Sequence, residues 1–224
     1  MPDPFKDAKN RMQGLTPKQK AVFIWDYYKL AILGGLALIG LIIYFIVVAL
    51  TRAPDPVLSV EVINSQIGLG KGTDFYNNFL ESSGIDTSKG SVDFSNTLFF
   101  DLSRDSDSAS TYYLKLLAEI EAGDLDAVIA NETNIKSLGS AGYFIDLTDA
   151  KTSSFYEKYK DKVLSATGED GTAHPVAFRI TDSAAFKASG VTYSEDAYLA
   201  IAPKAPHLEN VGKLLDYLYQ DADG

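Results

Sequence analysis

Residues 30–50, LAILGGLALIGLIIYFIVVAL, run for 21 positions without a charged side chain. As a helix rising about 1.5 Å per residue, the run is about 31 Å long and matches a bilayer hydrocarbon core of about 30 Å. Inside lipid every backbone amide must find its partner within the segment, so an uninterrupted helix is the form such a run takes. Core helices of globular proteins are apolar on one stripe, whereas this run is apolar on every side. A cleavable secretory leader is the closer rival. Its apolar core is shorter, roughly 7–15 residues, and small residues follow at the cleavage site. Here the run ends in Leu50-Thr51-Arg52-Ala53-Pro54, with no small-x-small site. An uncleaved transmembrane helix over 30–50 is therefore expected.

The charges on either side give it a direction. Residues 1–29 carry six Lys or Arg against three acids, and residues 51–224 carry 14 basic against 27 acidic side chains. Lys18, Lys20 and Lys29 stand just before the span, and only Arg52 follows it before Lys71. Basic residues stay on the cytoplasmic side, which predicts a cytoplasmic leader over 1–29 and an extracytoplasmic remainder at the cell membrane. Trp25, Tyr27, Tyr28, Lys29 and Arg52 flank the span and suit the lipid headgroup level, with amphipathic rings and snorkelling cations. The same aromatic cluster would serve as a docking motif for a partner membrane protein, but an aromatic belt is the simpler reading. Thr16-Pro17-Lys18-Gln19 has the form of a capping box with proline at the first helical position, so the leader should contain a short helix.

The rest of the chain is acidic, with 13 more acids than bases, and offers no electrostatic footprint for nucleic acid. The absence of cysteine excludes disulfides, thiolate metal sites, a cysteine nucleophile and a lipid-modified cysteine. Two histidines, His174 and His207, are too few for a multi-histidine metal centre. No Gly-x-Ser-x-Gly elbow occurs, and Gly68-Leu69-Gly70-Lys71-Gly72 lacks the spacing of a phosphate-binding loop. These features point away from an enzyme and imply no cofactor.

After a short linker at 51–56, broken by Pro54 and Pro56, the chain alternates between two periodicities. Strands are expected at 57–63, around Val92 and Phe94, and at 125–130, 175–180 and 197–202. Helices are expected at 74–80, 110–122 and 133–138, and from Pro206 onward. One more should open at a second capping box, Ser154 to Glu157, with Phe155, Tyr159 and Val163 on one face. Gly123 stands where a helix-terminating glycine belongs. Strand–helix alternation predicts an α/β domain over 57–224, with a mainly parallel sheet and helices on both faces.

The run 118–149, AEIEAGDLDAVIANETNIKSLGSAGYFIDLTD, resembles the first lobe of type 2 extracellular solute-binding proteins. Gly123, Asp124 and Asp126 form a Gly-Asp-x-Asp turn after a helix, and Gly142 with Asp146-Leu147 matches the exit from the following one. GEDGTAHPV at 168–176 is similar to that family's turn into a proline-containing strand. The leader KQKAVFIWDYYK with one span resembles singly anchored proteins of Gram-positive bacteria. The resemblance implies a non-catalytic binding lobe. The chain departs from the family between Leu147 and Pro175, where there is no room for a second lobe, so a two-lobed clamp is not implied.

Ligands of open α/β sheets favour the crevice at the carboxyl ends of the strands. The residues expected there are Asn64 and Ser65 with Gln66, then Asp101, then Asn131, Glu132 and Thr133. Their amide, hydroxyl and carboxylate groups suit a small polar solute or peptide. The plainer reading is that Asn131 or Thr133 caps the next helix. Asp101, Asp105 and Asp107 invite a calcium reading, but the loop lacks the central glycine and terminal glutamate of the known pattern. Two functions remain open: a membrane-anchored binding module or transporter accessory, and a scaffold that holds a membrane-protein partner without any small ligand.

Overall fold

The computed structural model describes residues 14–51, 55–103 and 110–220. These fall into two compact units that divide between Ala53 and Pro54.

The first unit is one helix, α1 (Pro17–Thr51), so the leader helix and the apolar run are continuous. Its start is the expected capping box: Thr16 N donates to Gln19 Oε1 at 3.0 Å and Gln19 N to Thr16 Oγ at 3.5 Å. Within it Tyr28–Val48, 21 residues of mean hydropathy 2.8 and none of them buried, is long and apolar enough to cross a membrane. That stretch begins two residues earlier than the uncharged run, because it admits Lys29.

The second unit runs β1 (Leu58–Val62), α2 (Asp74–Ser83), β2 (Val92–Ser95), α3 (Thr111–Ala122), β3 (Ala127–Asn131), α4 (Glu132–Ser140) and α5 (Ser153–Tyr159). It continues through a 3-10 turn (Lys160–Lys162) to β4 (Val163–Thr167), β5 (Ala173–Arg179), α6 (Ala184–Ala188), β6 (Ala197–Ile201) and α7 (Leu208–Tyr219). The domain is α/β, as expected. Helix α3 begins where Ser110 Oγ accepts from Tyr113 N at 3.2 Å. It ends at Gly123, whose φ of 77° is a conformation glycine adopts without a Cβ penalty.

The six strands lie in the order β2-β1-β3-β6-β5-β4. β1 pairs in parallel with β2 and β3, but β3–β6, β6–β5 and β5–β4 are antiparallel. The sheet is therefore mixed, and the expectation of a mainly parallel one is corrected. The cause at β4–β5 is the connection: only residues 168–172 join the two strands, too few for the crossover that a parallel pair needs. β4 itself replaces the second half of an expected helix. Helix α5 stops at Tyr159, and Val163 pairs with Phe178 in the sheet. The second capping box does not start this helix either. Thr152 holds the N-cap position without capping, buried, with its hydroxyl donating to the carbonyls of Asp146 and Leu147 at 3.2 Å.

Both faces of the sheet are covered. On one, Leu58, Val60, Val62, Ile129 and Leu199 pack with Phe75 and Phe79 of α2, Phe186 of α6 and Leu214 and Leu218 of α7. On the other, Val128, Ala130 and Ala200 pack with Leu116 and Ile120 of α3 and Ile135 and Leu138 of α4. Such alternation along each strand is what a sheet buried on both sides requires.

Asp126, fully buried just before β3, ties these layers together. Ser59 N donates to its Oδ2 at 2.9 Å and His207 N to its Oδ1 at 2.7 Å, while His207 Nδ1 lies 3.1 Å from Oδ2. A carboxylate with this many partners is structural.

Candidate functional site

β1, β2, β3 and β5 point one way and β4 and β6 the other, so the ends of β1 and β3 and the start of β6 share one edge. At that edge a depression of about 330 Å³ is lined by Asn64, Asp101, Asn131 and Thr133, together with Ser103 and residues 192–195. Four of the seven residues expected at the strand ends thus meet in one place.

Asn64 follows β1 with a φ of 60°, in the left-handed region that asparagine tolerates better than most residues. Its amide pairs with the backbone of Phe100: Phe100 N donates to Oδ1 at 2.8 Å and Nδ2 donates to Phe100 O at 2.6 Å. Buried Asn134 of α4 holds the same loop from the other side, donating to Phe100 O at 3.2 Å and accepting from Leu102 N at 2.9 Å. Between these two clamps sits Asp101, whose Oδ1 accepts from Ser103 N at 3.0 Å. Asn64 therefore shapes the wall of the depression and spends its own polar atoms on the loop that carries Asp101.

The start of α4 corrects the capping expectation. Asn131 holds the N-cap position but makes no side-chain cap bond. Glu195, from the segment before β6, caps in its place: Thr133 N donates to Oε2 at 3.0 Å, Thr133 Oγ to Oε1 at 2.9 Å, and Asn131 Nδ2 to Oε2 at 2.9 Å. The bond from Thr133 N, with those of the Thr133 hydroxyl and Asn131, holds the Glu195 carboxyl below its ordinary range. Asn131 Oδ1 is buried and makes no hydrogen bond. Tyr193 closes the same segment onto β1, its hydroxyl donating to Ile63 O at 2.8 Å. Its burial pushes the phenol pKa well above the usual value.

Three expected residues are not in the depression. Gln66 is exposed after β1. Ser65 is buried in a tight turn, its hydroxyl donating to Ile67 O at 2.6 Å and accepting from Ile67 N at 3.1 Å. Glu132 pairs with Lys136 at 2.6 Å, one turn along α4, and accepts from the Tyr198 hydroxyl at 3.4 Å. In the span, Trp25 and Lys29 are exposed and Tyr28 is half-buried; the Tyr27 side chain and Arg52 lie outside the described residues. Asp105 and Asp107 lie outside them too, and among the described residues no group of three His, Asp or Glu is placed to hold a metal ion.

No known protein family, curated protein or solved structure matches this chain. The depression therefore rests on its own chemistry. Its lining is rich in acceptors: the Asp101 and Glu195 carboxylates, which already have partners, and the buried Asn131 carbonyl oxygen. Of the amides at the head of α4, where helices elsewhere receive anions, Thr133 N is taken by Glu195 and Glu132 N by the Asp196 carbonyl. A larger hollow of about 430 Å³ lies beside Tyr159 and Tyr219, but its Arg179 is committed to Asp196 at 2.7 Å and Asp182 at 2.5 Å.

Glu195 was not legible as a site residue. It stands 62 positions from Thr133, in a stretch without motif, and only the insertion of β6 beside β3 brings it to α4.

Proposed function

We propose that this chain is a membrane-tethered, non-catalytic binding module, held by one helix and presenting its acidic α/β lobe outside the cytoplasm. The ligand is a small polar molecule bearing donor groups, an amine above all. The observation that carries this reading is the meeting of Asn64, Asp101, Asn131 and Thr133 around one polar depression of about 330 Å³ lined by carboxylate and amide oxygens. The tether is supported by the span Tyr28–Val48, and its orientation by Lys18, Lys20 and Lys29 ahead of it.

A scaffold without a small ligand needs an apolar docking face. Among the described residues the second unit exposes four large apolar side chains, Ile67, Phe99, Tyr112 and Leu114, and the last two, two positions apart on α3, point to different sides of the helix. That arrangement favours the binding module.

Thermal unfolding of the full chain in detergent, screened against amines, amino acids, sugars and short peptides, tests the proposal. A rise in melting temperature with amine-bearing ligands that is lost in Asp101→Asn supports it. No shift at millimolar ligand, with a membrane protein co-purifying reproducibly, overturns it in favour of the scaffold.

A further inference from the structure

At the opposite end of the sheet from the strand-end depression, His174 opens β5 between two carboxylates. Nδ1 lies 2.8 Å from Asp146 Oδ2 and Nε2 lies 3.4 Å from Asp170 Oδ2. Asp146 belongs to the segment after α4, and Asp170 to the turn at the tip of the β4–β5 hairpin. The other oxygen of each carboxylate fixes its own turn: Asp146 Oδ1 accepts from Thr148 N at 2.9 Å, and Asp170 Oδ1 accepts from Thr172 N at 2.9 Å. The tip has little else to hold it. Gly168 N donates to Thr172 O at 2.9 Å and Gly171 N to Gly168 O at 3.0 Å, both within the turn, while Leu147 N donates to Pro175 O at 2.8 Å beside it. A hollow of about 360 Å³ lies between the tip and the end of α4.

An imidazole holds both carboxylates by hydrogen bonds only when both ring nitrogens carry protons. The neutral ring has one N–H. It keeps one partner and turns a lone pair toward the other, and the longer contact, to Asp170, is the one lost. We propose that Asp146–His174–Asp170 is a proton-operated latch that pins the β4–β5 hairpin tip to the segment after α4 in acid and releases it as pH rises.

The surrounding charges agree with this direction. The titratable groups facing His174 are Asp146 on one side and Asp170 with Glu169 on the other, and no basic side chain lines the hollow among the described residues. Asp146, then Asp170, holds the imidazole pKa above the usual histidine value. A group whose pKa is higher in the folded protein stabilises it below the unfolded value, and this contribution is lost as pH rises through the folded one. β4 is an edge strand, so release loosens a hairpin tip that no further strand covers among the described residues.

Amide hydrogen exchange of the full chain in detergent, corrected for intrinsic rates, tests the latch at Gly168, Gly171 and Thr172, with β3 amides as reference. Protection at the tip is expected to fall by about threefold or more between about pH 5.5 and about pH 8.5 while β3 stays constant. The fall should follow the His174 ring titration seen by NMR, with a midpoint above that of an unperturbed histidine. Asp170→Asn, a change on an exposed turn, should abolish the pH dependence, and His174→Gln should leave the tip loose throughout. Equal tip protection across the range, a pH dependence that survives Asp170→Asn, or a midpoint at or below the usual histidine value would each overturn the proposal.

Discussion

Glu195 caps the helix that Asn131 introduces. Asn131 occupies the N-cap position of α4, yet its amide donates to Glu195 Oε2 at 2.9 Å, and the Glu195 carboxylate, not the Asn131 carbonyl, receives Thr133 N at 3.0 Å. One carboxylate thereby joins the segment before β6 to the head of α4 and leaves Asn131 Oδ1 without a partner in the wall of the depression.

Replacement of Glu195 should expose that role. Glu195→Ala removes the acceptor for Thr133 N and is expected to cost about 1 kcal/mol, the usual worth of a helix cap. Glu195→Gln, which keeps one oxygen, should cost less. Because the folded carboxyl titrates below the usual glutamate value of 4.5, its contribution is present at neutral pH and lost as pH falls through the folded value. Chemical denaturation of wild type and Glu195→Gln, compared at neutral and acid pH, should therefore show the difference between them shrinking in acid.

Asn64 combines a backbone and a side-chain demand. Asn64→Ala loses both bonds to Phe100 and forces alanine into a left-handed conformation, for an expected loss of about 2–3 kcal/mol. Asn64→Gly keeps the backbone at ease and should lose only about 1–2 kcal/mol. Unfolding curves of the two variants separate the terms, and both variants should weaken ligand binding by loosening the loop that carries Asp101.

Asp126 is a fully buried structural carboxylate outside the depression. Asp126→Ala leaves Ser59 N and His207 N unpaired in a buried site and is expected to destabilise the domain by about 3 kcal/mol. His207→Ala removes only one contact, from a partly exposed ring, and should cost about 1 kcal/mol or less. Equal losses in the two variants would contradict the assignment of Asp126 as the hub.

The tether can be tested without a ligand. Ile39 and Ile42 lie inside Tyr28–Val48, and a lysine at the middle of a span costs about 3 kcal/mol in membrane insertion. The double variant Ile39→Lys, Ile42→Lys should move the chain from the alkaline-resistant membrane pellet to the soluble fraction, while the wild-type chain remains in the pellet.

Residues 30–50 by themselves determine a helix apolar on all sides, because an unbroken uncharged run of that length needs no partner to specify it. Local chemistry also determines the start of α1 and both ends of α3: the Thr16–Gln19 box, Ser110 and Gly123 act within four residues of where they stand. The strand-end residues Asn64, Asp101, Asn131 and Thr133 were readable because strands followed by turns declare their own ends. Strand direction was not, since a buried strand shows the same apolar pattern whether its neighbour runs with it or against it. Tertiary pairing decided that β6 lies between β3 and β5, and that Val163 leaves a helical spacing with Tyr159 to join the open edge of β5. The same pairing brought Glu195 to Thr133 and His174 to Asp146 across long stretches of chain. Such contacts carry no local periodicity, and only the packed sheet makes them neighbours.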